Sequence, residues 1–154
     1  MPIYNKGNFL ERSIGCLQKQ TLKEIEIIAV NDYSTDNSYN ILKNFSLRDK
    51  RIKIVNNTKN RGLLYSRAMG IIHSNGEYIM DLDPDDELSN ETDLEFLYSN
   101  TNSSQIDIIN FGIITKYSNG LKNKNLFCGM FNETLLQPKL FDKYVIWDIL
   151  FAGV

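Results

Sequence analysis

Cysteine is scarce in this 154-residue sequence: Cys16 and Cys128 are the only two, far apart and without a CxxC pair. That argues against a disulfide framework and a cysteine zinc site, and it fits a reducing compartment. The single histidine, His73, stands near an expected helix end and reads as a polar surface group rather than a base. No run approaches 18 apolar residues, so no membrane span is expected. Neither sign of charge dominates. With 17 basic and 19 acidic residues the net charge is -2, and no nucleic-acid footprint is visible. No basic segment leads into an apolar one at Met1-Pro2-Ile3-Tyr4, so no leader is expected. The expected location is the cytoplasm, with or without peripheral attachment to a membrane. No repeat and no linker-like stretch interrupts the chain, whose length suits one domain with a real core.

What the sequence does contain is an acidic stretch, Gly76-Glu77-Tyr78-Ile79-Met80-Asp81-Leu82-Asp83-Pro84-Asp85-Asp86. Tyr78-Ile79-Met80 reads as a short buried strand. Pro84 has no N–H and keeps Asp83 out of the helical region, so the strand stops and the acids share a tight loop. In open α/β sheets, ligands bind at that carboxyl edge. Carboxylates this close repel one another unless a cation lies between them. An EF-hand is excluded: counted from Asp81, the sixth position is Asp86 rather than Gly and the twelfth is Thr92 rather than Glu. The plainer alternative is an acidic surface loop that caps the helix after Glu91.

Along the chain, Ile3-Tyr4-Asn5 reads as a strand end. A helix follows over 8–19, with Leu10, Ile14 and Leu17 on one face and a capping box between Asn8 and Glu11. The run 25–30 is apolar and partly β-branched, a buried strand. A polar loop, 31–36, leads to a helix over 37–45 with Ile41, Leu42 and Phe45 inward. A strand over 51–56 and a turn at Asn60-Arg61-Gly62 precede a helix over 63–73, with Leu64, Ala68, Ile71 and Ile72 inward. The order is βαβαβαβ, which specifies a mainly parallel sheet flanked by helices. Asp32 and Asp83 both fall just past strand ends and can face one crevice. Beyond Ser89 the pattern weakens to a helix over 93–98, a strand over 106–111, a second over 113–117 and a polar turn over 118–124. Residues 127–154 show no clear period, and Trp147 reads as core.

Four segments, taken in order, resemble one family. Pro2-Ile3-Tyr4-Asn5 is similar to an opening "P-x-Y-N". Residues 27–38, from Ile27-Ile28-Ala29-Val30-Asn31-Asp32 to Asn37-Ser38, resemble "I-V-D-D-G-S-T-D-x-S". Residues 60–70 resemble "N-x-G-x-x-x-A-R-N-x-G", and 76–88 resemble "G-E-Y-I-x-F-L-D-x-D-D-x-L". Together they resemble the nucleotide-sugar half of inverting family 2 glycosyltransferases, which have the Rossmann-like GT-A fold. The resemblance covers residues 1–90, with 91–154 as the start of an acceptor half. It implies transfer of a sugar from a nucleoside diphosphate, a UDP-sugar foremost, to an acceptor hydroxyl. The acceptor itself stays unknown.

By this resemblance Asp85 is a metal ligand, Asp83 holds the ribose and touches the metal, and the metal is Mn²⁺ or Mg²⁺. A divalent cation would neutralise the charge gathering on the diphosphate as the sugar leaves. Asp32 accepts a hydrogen bond from the base, Tyr4 lines the base pocket, Pro2 belongs to the nucleotide-sugar site, and Arg67 lies towards the diphosphate. Asp36 reads as a turn or cap residue. Three positions depart from the pattern. Asn31 stands for the usual first acid and Tyr33 for Gly, and Asp81, which needs a partner or a raised pKa, replaces an aromatic or apolar residue. Most of the family's first strand and its late Glu-Asp pair are not found, so the chain reads as a partial domain. Its catalytic base is unassigned; Asp142 and Asp148 are the only late acids. The rival readings are a non-catalytic nucleotide-sugar or partner-binding module and a nucleotidyltransferase or phospho-acceptor on a similar sheet. No Lys is placed at a strand end as a phospho-acceptor would need.

Overall fold

A computed structural model of the chain describes residues 1–102, 108–110, 112–116, 122–125, 129–131 and 149–152. The expected alternation is present. Strands β1 (Pro2–Ile3), β2 (Ile27–Asn31) and β3 (Ile52–Asn56) form a parallel sheet in the order β1-β2-β3. Register pairs Pro2 with Val30 and runs from Ile27 opposite Ile52 to Asn31 opposite Asn56. Helices α1 (Gly7–Gln18), α2 (Ser38–Arg48) and α3 (Leu63–Ile72) connect and follow these strands. All five residues of β2 are buried, as suits the central strand of three.

The core forms where α1 lies on the sheet. Leu10, Ile14 and Leu17, the face expected from their spacing, pack with Ile3, Ile27, Ala29, Leu42 and Ile52. Met80, Leu82, Leu88 and Leu94 close over that cluster from the acidic loop and beyond. The capping box expected at Asn8 and Glu11 does not form, because the helix begins earlier: Lys6 is the N-cap and makes no side-chain cap bond. Asp36 takes over that task from another loop. One of its carboxylate oxygens accepts the Gly7 N–H at 3.0 Å and the other the Ser38 N–H at 2.9 Å.

Helix α3 corrects the sequence reading. Leu64 and Ile72 are 73% and 71% exposed, and Ala68 and Ile71 are also exposed. Ser66 is the buried residue, and a Cβ on Gly70 would lie 3.7 Å from Val30. Residues four apart share a helix face. The small pair Ser66 and Gly70 lets α3 approach β2 closely, and that close approach selects the buried face over the larger apolar side chains.

Strand β4 (Tyr78–Ile79) is the second correction. It does not extend the parallel sheet. It pairs antiparallel with β9 (Ile149–Ala152), in a sheet ordered β4-β9-β5-β8 that includes β5 (Ile108–Asn110) and β8 (Gly129–Phe131). The reason lies at the edge of β1. Met1 and Ile3 turn their carbonyls to Val30 and Asp32. The other edge falls to Pro2, which has no N–H to donate. Helix α4 (Asp93–Asn102) is longer than expected, and Tyr98 meets Tyr78 edge-to-face at 6.3 Å. Strands β6 (Ile113–Lys116) and β7 (Lys122–Asn125) form a hairpin, so β7 begins inside the stretch expected to be a turn. Trp147, Asp142, Asp148 and Cys128 lie outside the described residues. No helix among the described residues is long and apolar enough to cross a membrane.

Candidate functional site

Three loops meet beside the parallel sheet: the one after β1, the one after β2, and the acidic loop after β4. Asn5 ties the first two together. Its backbone takes φ 51°, in the left-handed region that Asn tolerates. Its side-chain oxygen accepts from Thr35 N at 2.8 Å and Asp36 N at 3.3 Å. In return Asn5 N–H donates to Ser34 Oγ at 3.1 Å. Asn31, uncharged at a position where an acid was the alternative, donates to Asn56 Oδ1 at 3.0 Å and accepts from Ser34 N at 3.1 Å. Tyr33 adopts φ 62°, so the bulky residue keeps the left-handed conformation a glycine would take there.

Between these loops lies a cavity of about 470 Å³. Pro2, Tyr4, Asp32, Asp83 and Asp85 all line it, so the structure gathers five residues singled out in the sequence. Tyr4 is 47% exposed and Asp32 only 3%. Asp32 accepts from Asn57 Nδ2 at 2.7 Å, Arg61 N at 2.8 Å and Gly62 N at 2.8 Å, and so pins the turn before α3. Burial alone would raise its pKa, but those bonds and one with Ser66 outweigh it and hold the carboxyl below its ordinary value. A carboxylate has about four acceptor positions. These three donors and Ser66 engage all of them, so a ligand donor would share an oxygen with one of these groups.

Arg67 does not line the cavity. It stands behind the acidic loop with its side chain 17% exposed, ion-paired to Asp81 and to Asp83, the latter at 3.1 Å. This is the partner that Asp81 needed. The residue that sequence reasoning missed is Lys6. Its ammonium lies 2.6 Å from Asp85 Oδ2, and it lines the cavity. The hydrogen bond from Lys6 is the largest influence on Asp85 and holds that carboxyl below its ordinary value. A signal existed: Lys6 directly follows Pro2-Ile3-Tyr4-Asn5. What spacing could not show is a contact between positions 79 apart in the chain. Arg12 reinforces the loop, donating to the Asp85 carbonyl and pairing with Glu87 at 3.6 Å.

The chain's first 146 residues match the model of the family described as Glycosyl transferase family 2. This chain belongs to glycosyl transferase family 2. It is 37% identical over 109 residues to glycosyltransferase GlyG of Streptococcus pneumoniae, across 71% of this chain and 36% of GlyG. Among solved structures, S. aureus TarS in complex with UDP-GlcNAc superposes with a TM-score of 0.65 at 25% identity, over 70% of this chain and 31% of TarS. A mannosyltransferase from Pyrobaculum calidifontis, in complex with GDP-Man and Mn²⁺, gives 0.66 at 18% identity, over 75% and 34%. The chain thus spans about a third of the length of these relatives. The family membership and these superpositions establish the mixed α/β GT-A fold.

For a divalent cation, the donor set decides what would fit. Asp83 and Asp85 flank Pro84 on one loop, and both line the cavity. Each has a cationic side chain against it, Arg67 or Lys6. No group of three or more His, Cys, Asp or Glu side chains converges as a metal cage among the described residues. Mg²⁺ and Mn²⁺ are commonly held by one or two carboxylates together with phosphate oxygens. Asp83 and Asp85 fit a cation shared with a diphosphate and do not fit a self-sufficient cage.

Proposed function

We propose that this chain is the donor-binding part of a glycosyltransferase that takes a nucleoside-diphosphate sugar, a UDP-sugar foremost, and passes the sugar to an acceptor hydroxyl with inversion. The observation that carries the reading is the cavity itself, where Pro2 from β1 and Tyr4, Asp32, Asp83 and Asp85 from three loops converge. Support comes from TarS, solved with UDP-GlcNAc, and from the mannosyltransferase solved with GDP-Man and Mn²⁺.

In this reading Tyr4 and Pro2 form the wall against the base, and Asp32 accepts a hydrogen bond from a base N–H. Asp83 faces the ribose. Asp85, with Asp83, would hold Mn²⁺ or Mg²⁺ together with the diphosphate, and Arg67 sets the position of Asp83 through their ion pair. The bound cation would supply positive charge to the departing diphosphate. The acceptor needs a base within hydrogen-bond reach of its hydroxyl. No Glu-Asp pair occurs in the sequence, and no residue is assigned that role.

Titration calorimetry with UDP, with and without Mn²⁺, tests the proposal. The expected result is tighter binding with Mn²⁺ by about 5- to 150-fold, the ordinary range of coupling between two ligands. Equal affinities would remove the metal from the reading, and absence of UDP binding in both conditions would remove the donor site.

A further inference from the structure

We propose that Lys6 is a built-in competitor for the metal: its ammonium occupies the cation position on Asp85 until a diphosphate draws it away. The inference rests on the donor-site reading above and concerns how that site is loaded. The contact is direct, at 2.6 Å, and both partners line the cavity. Lys6 is positioned by its backbone. It is the N-cap of α1, its N–H donates to Ser38 Oγ at 3.0 Å, and its carbonyl accepts from Phe9 N at 2.9 Å. Its flexible side chain is left to choose a partner. Phe9 lies beneath the ammonium, 5.4 Å from ring centre to nitrogen.

The pair is weak enough to exchange. Its side chains are 35% and 44% exposed, and ion pairs of that kind are worth little in water. A diphosphate carries more charge than one carboxylate and offers more oxygens to an ammonium, so Lys6 transfers to it when the nucleotide enters. Asp85 is then released for a cation that also touches the diphosphate. Metal and nucleotide consequently load together, and neither the acidic loop nor the nucleotide alone makes a tight metal site.

The test compares the whole 154-residue chain with its Lys6→Met and Arg12→Met variants. Mn²⁺ binding without nucleotide is followed by the loss of the free-ion electron paramagnetic resonance signal, and metal-free UDP binding by calorimetry. Lys6→Met should bind Mn²⁺ alone about two- to five-fold more tightly, the worth of an exposed ion pair expressed as a ratio. It should bind metal-free UDP more weakly. Arg12→Met removes a neighbouring positive charge that touches the Asp85 carbonyl rather than its carboxylate. It should leave Mn²⁺ affinity unchanged, and an equal gain in both variants would reduce the effect to general electrostatics and overturn the proposal. Unchanged or weaker Mn²⁺ binding in Lys6→Met would overturn it too, whereas the donor-site reading falls only if the unaltered chain binds no UDP. Lys6→Gln, measured beside it, repeats the comparison with an uncharged polar side chain, and the same outcomes decide.

Discussion

Tyr33 shows a bulky residue standing in the left-handed region of the backbone. Its φ of 62° lies where a Cβ crowds the following carbonyl, and its side chain is 55% exposed, so little packing offsets the strain. A left-handed non-glycine residue is disfavoured by about 1–2 kcal/mol. Glycine relieves that strain but has more freedom to lose on folding, about 0.5–1 kcal/mol. Tyr33→Gly should therefore stabilise the chain by about 1 kcal/mol or less, read as a higher urea midpoint with an unchanged slope. A lower midpoint would mean that the Tyr33 ring makes contacts worth more than the strain. Asn5, at φ 51°, is a different case: its side chain accepts from Thr35 and Asp36, so the left-handed turn there is fastened by hydrogen bonds.

At the scale of elements, Asp36 does the work of two caps. The starts of α1 and α2 each leave backbone N–H groups without helical partners. One carboxylate serves both, through Gly7 and Ser38, with its pKa held below the ordinary value: burial opposes that, and the bonds from Ser38 and Gly7 outweigh it. Asp36→Ala should destabilise the chain by about 1–2 kcal/mol, at the upper end of what a lost cap removes. A change within about 0.5 kcal/mol, the scatter of a surface substitution, would show that water replaces the cap. Elements of this kind also mark what the sequence made legible. The apolar run of β2 and the Leu10, Ile14, Leu17 face of α1 could be read because burial and period agree there. The face of α3 could not, because Ser66 and Gly70 win it by being small, which a count of apolar residues passes over. The antiparallel partners of β4 lie some seventy positions away, at Phe151 and Ala152, and no local period encodes such a pairing. In the site, Pro2, Tyr4, Asp32, Asp83 and Asp85 were legible from motif order. The Lys6–Asp85 contact and the Arg67 bridge depend on how loops distant in sequence come together.

Across the whole molecule, one electrostatic feature repeats. Glu26, Asp32, Asp36, Asp49 and Asp85 all have carboxyls held below their ordinary values. The donors differ: Lys53 with the backbone of Asn75 and Gly76 for Glu26, loop amides for Asp32 and Asp36, and Lys6 for Asp85. Asp49 is shifted most, chiefly by a two-pronged bond from Arg51 at 3.0 and 2.8 Å. A carboxyl whose folded pKa is depressed binds fewer protons in the folded state. Its contribution is complete above the ordinary value, 4.5 for Glu26 and 3.8 for the aspartates, and is lost as pH falls through the folded value. Cys16 runs the other way: burial raises its thiol pKa, so its contribution is present at neutral pH and lost as pH rises past the ordinary 9.0. Stability should fall by at least about 1–2 kcal/mol on going from pH 7 to pH 3, since the carboxylate shifts add in sign. Urea denaturation at pH 7, 5 and 3 measures the profile. The Asp49→Asn variant sharpens it: that chain should be less stable at pH 7 yet lose less on acidification, because its most strongly shifted carboxyl no longer titrates. A variant that loses as much as the parent chain between pH 7 and pH 3 would remove the Arg51–Asp49 pair from the account of acid sensitivity.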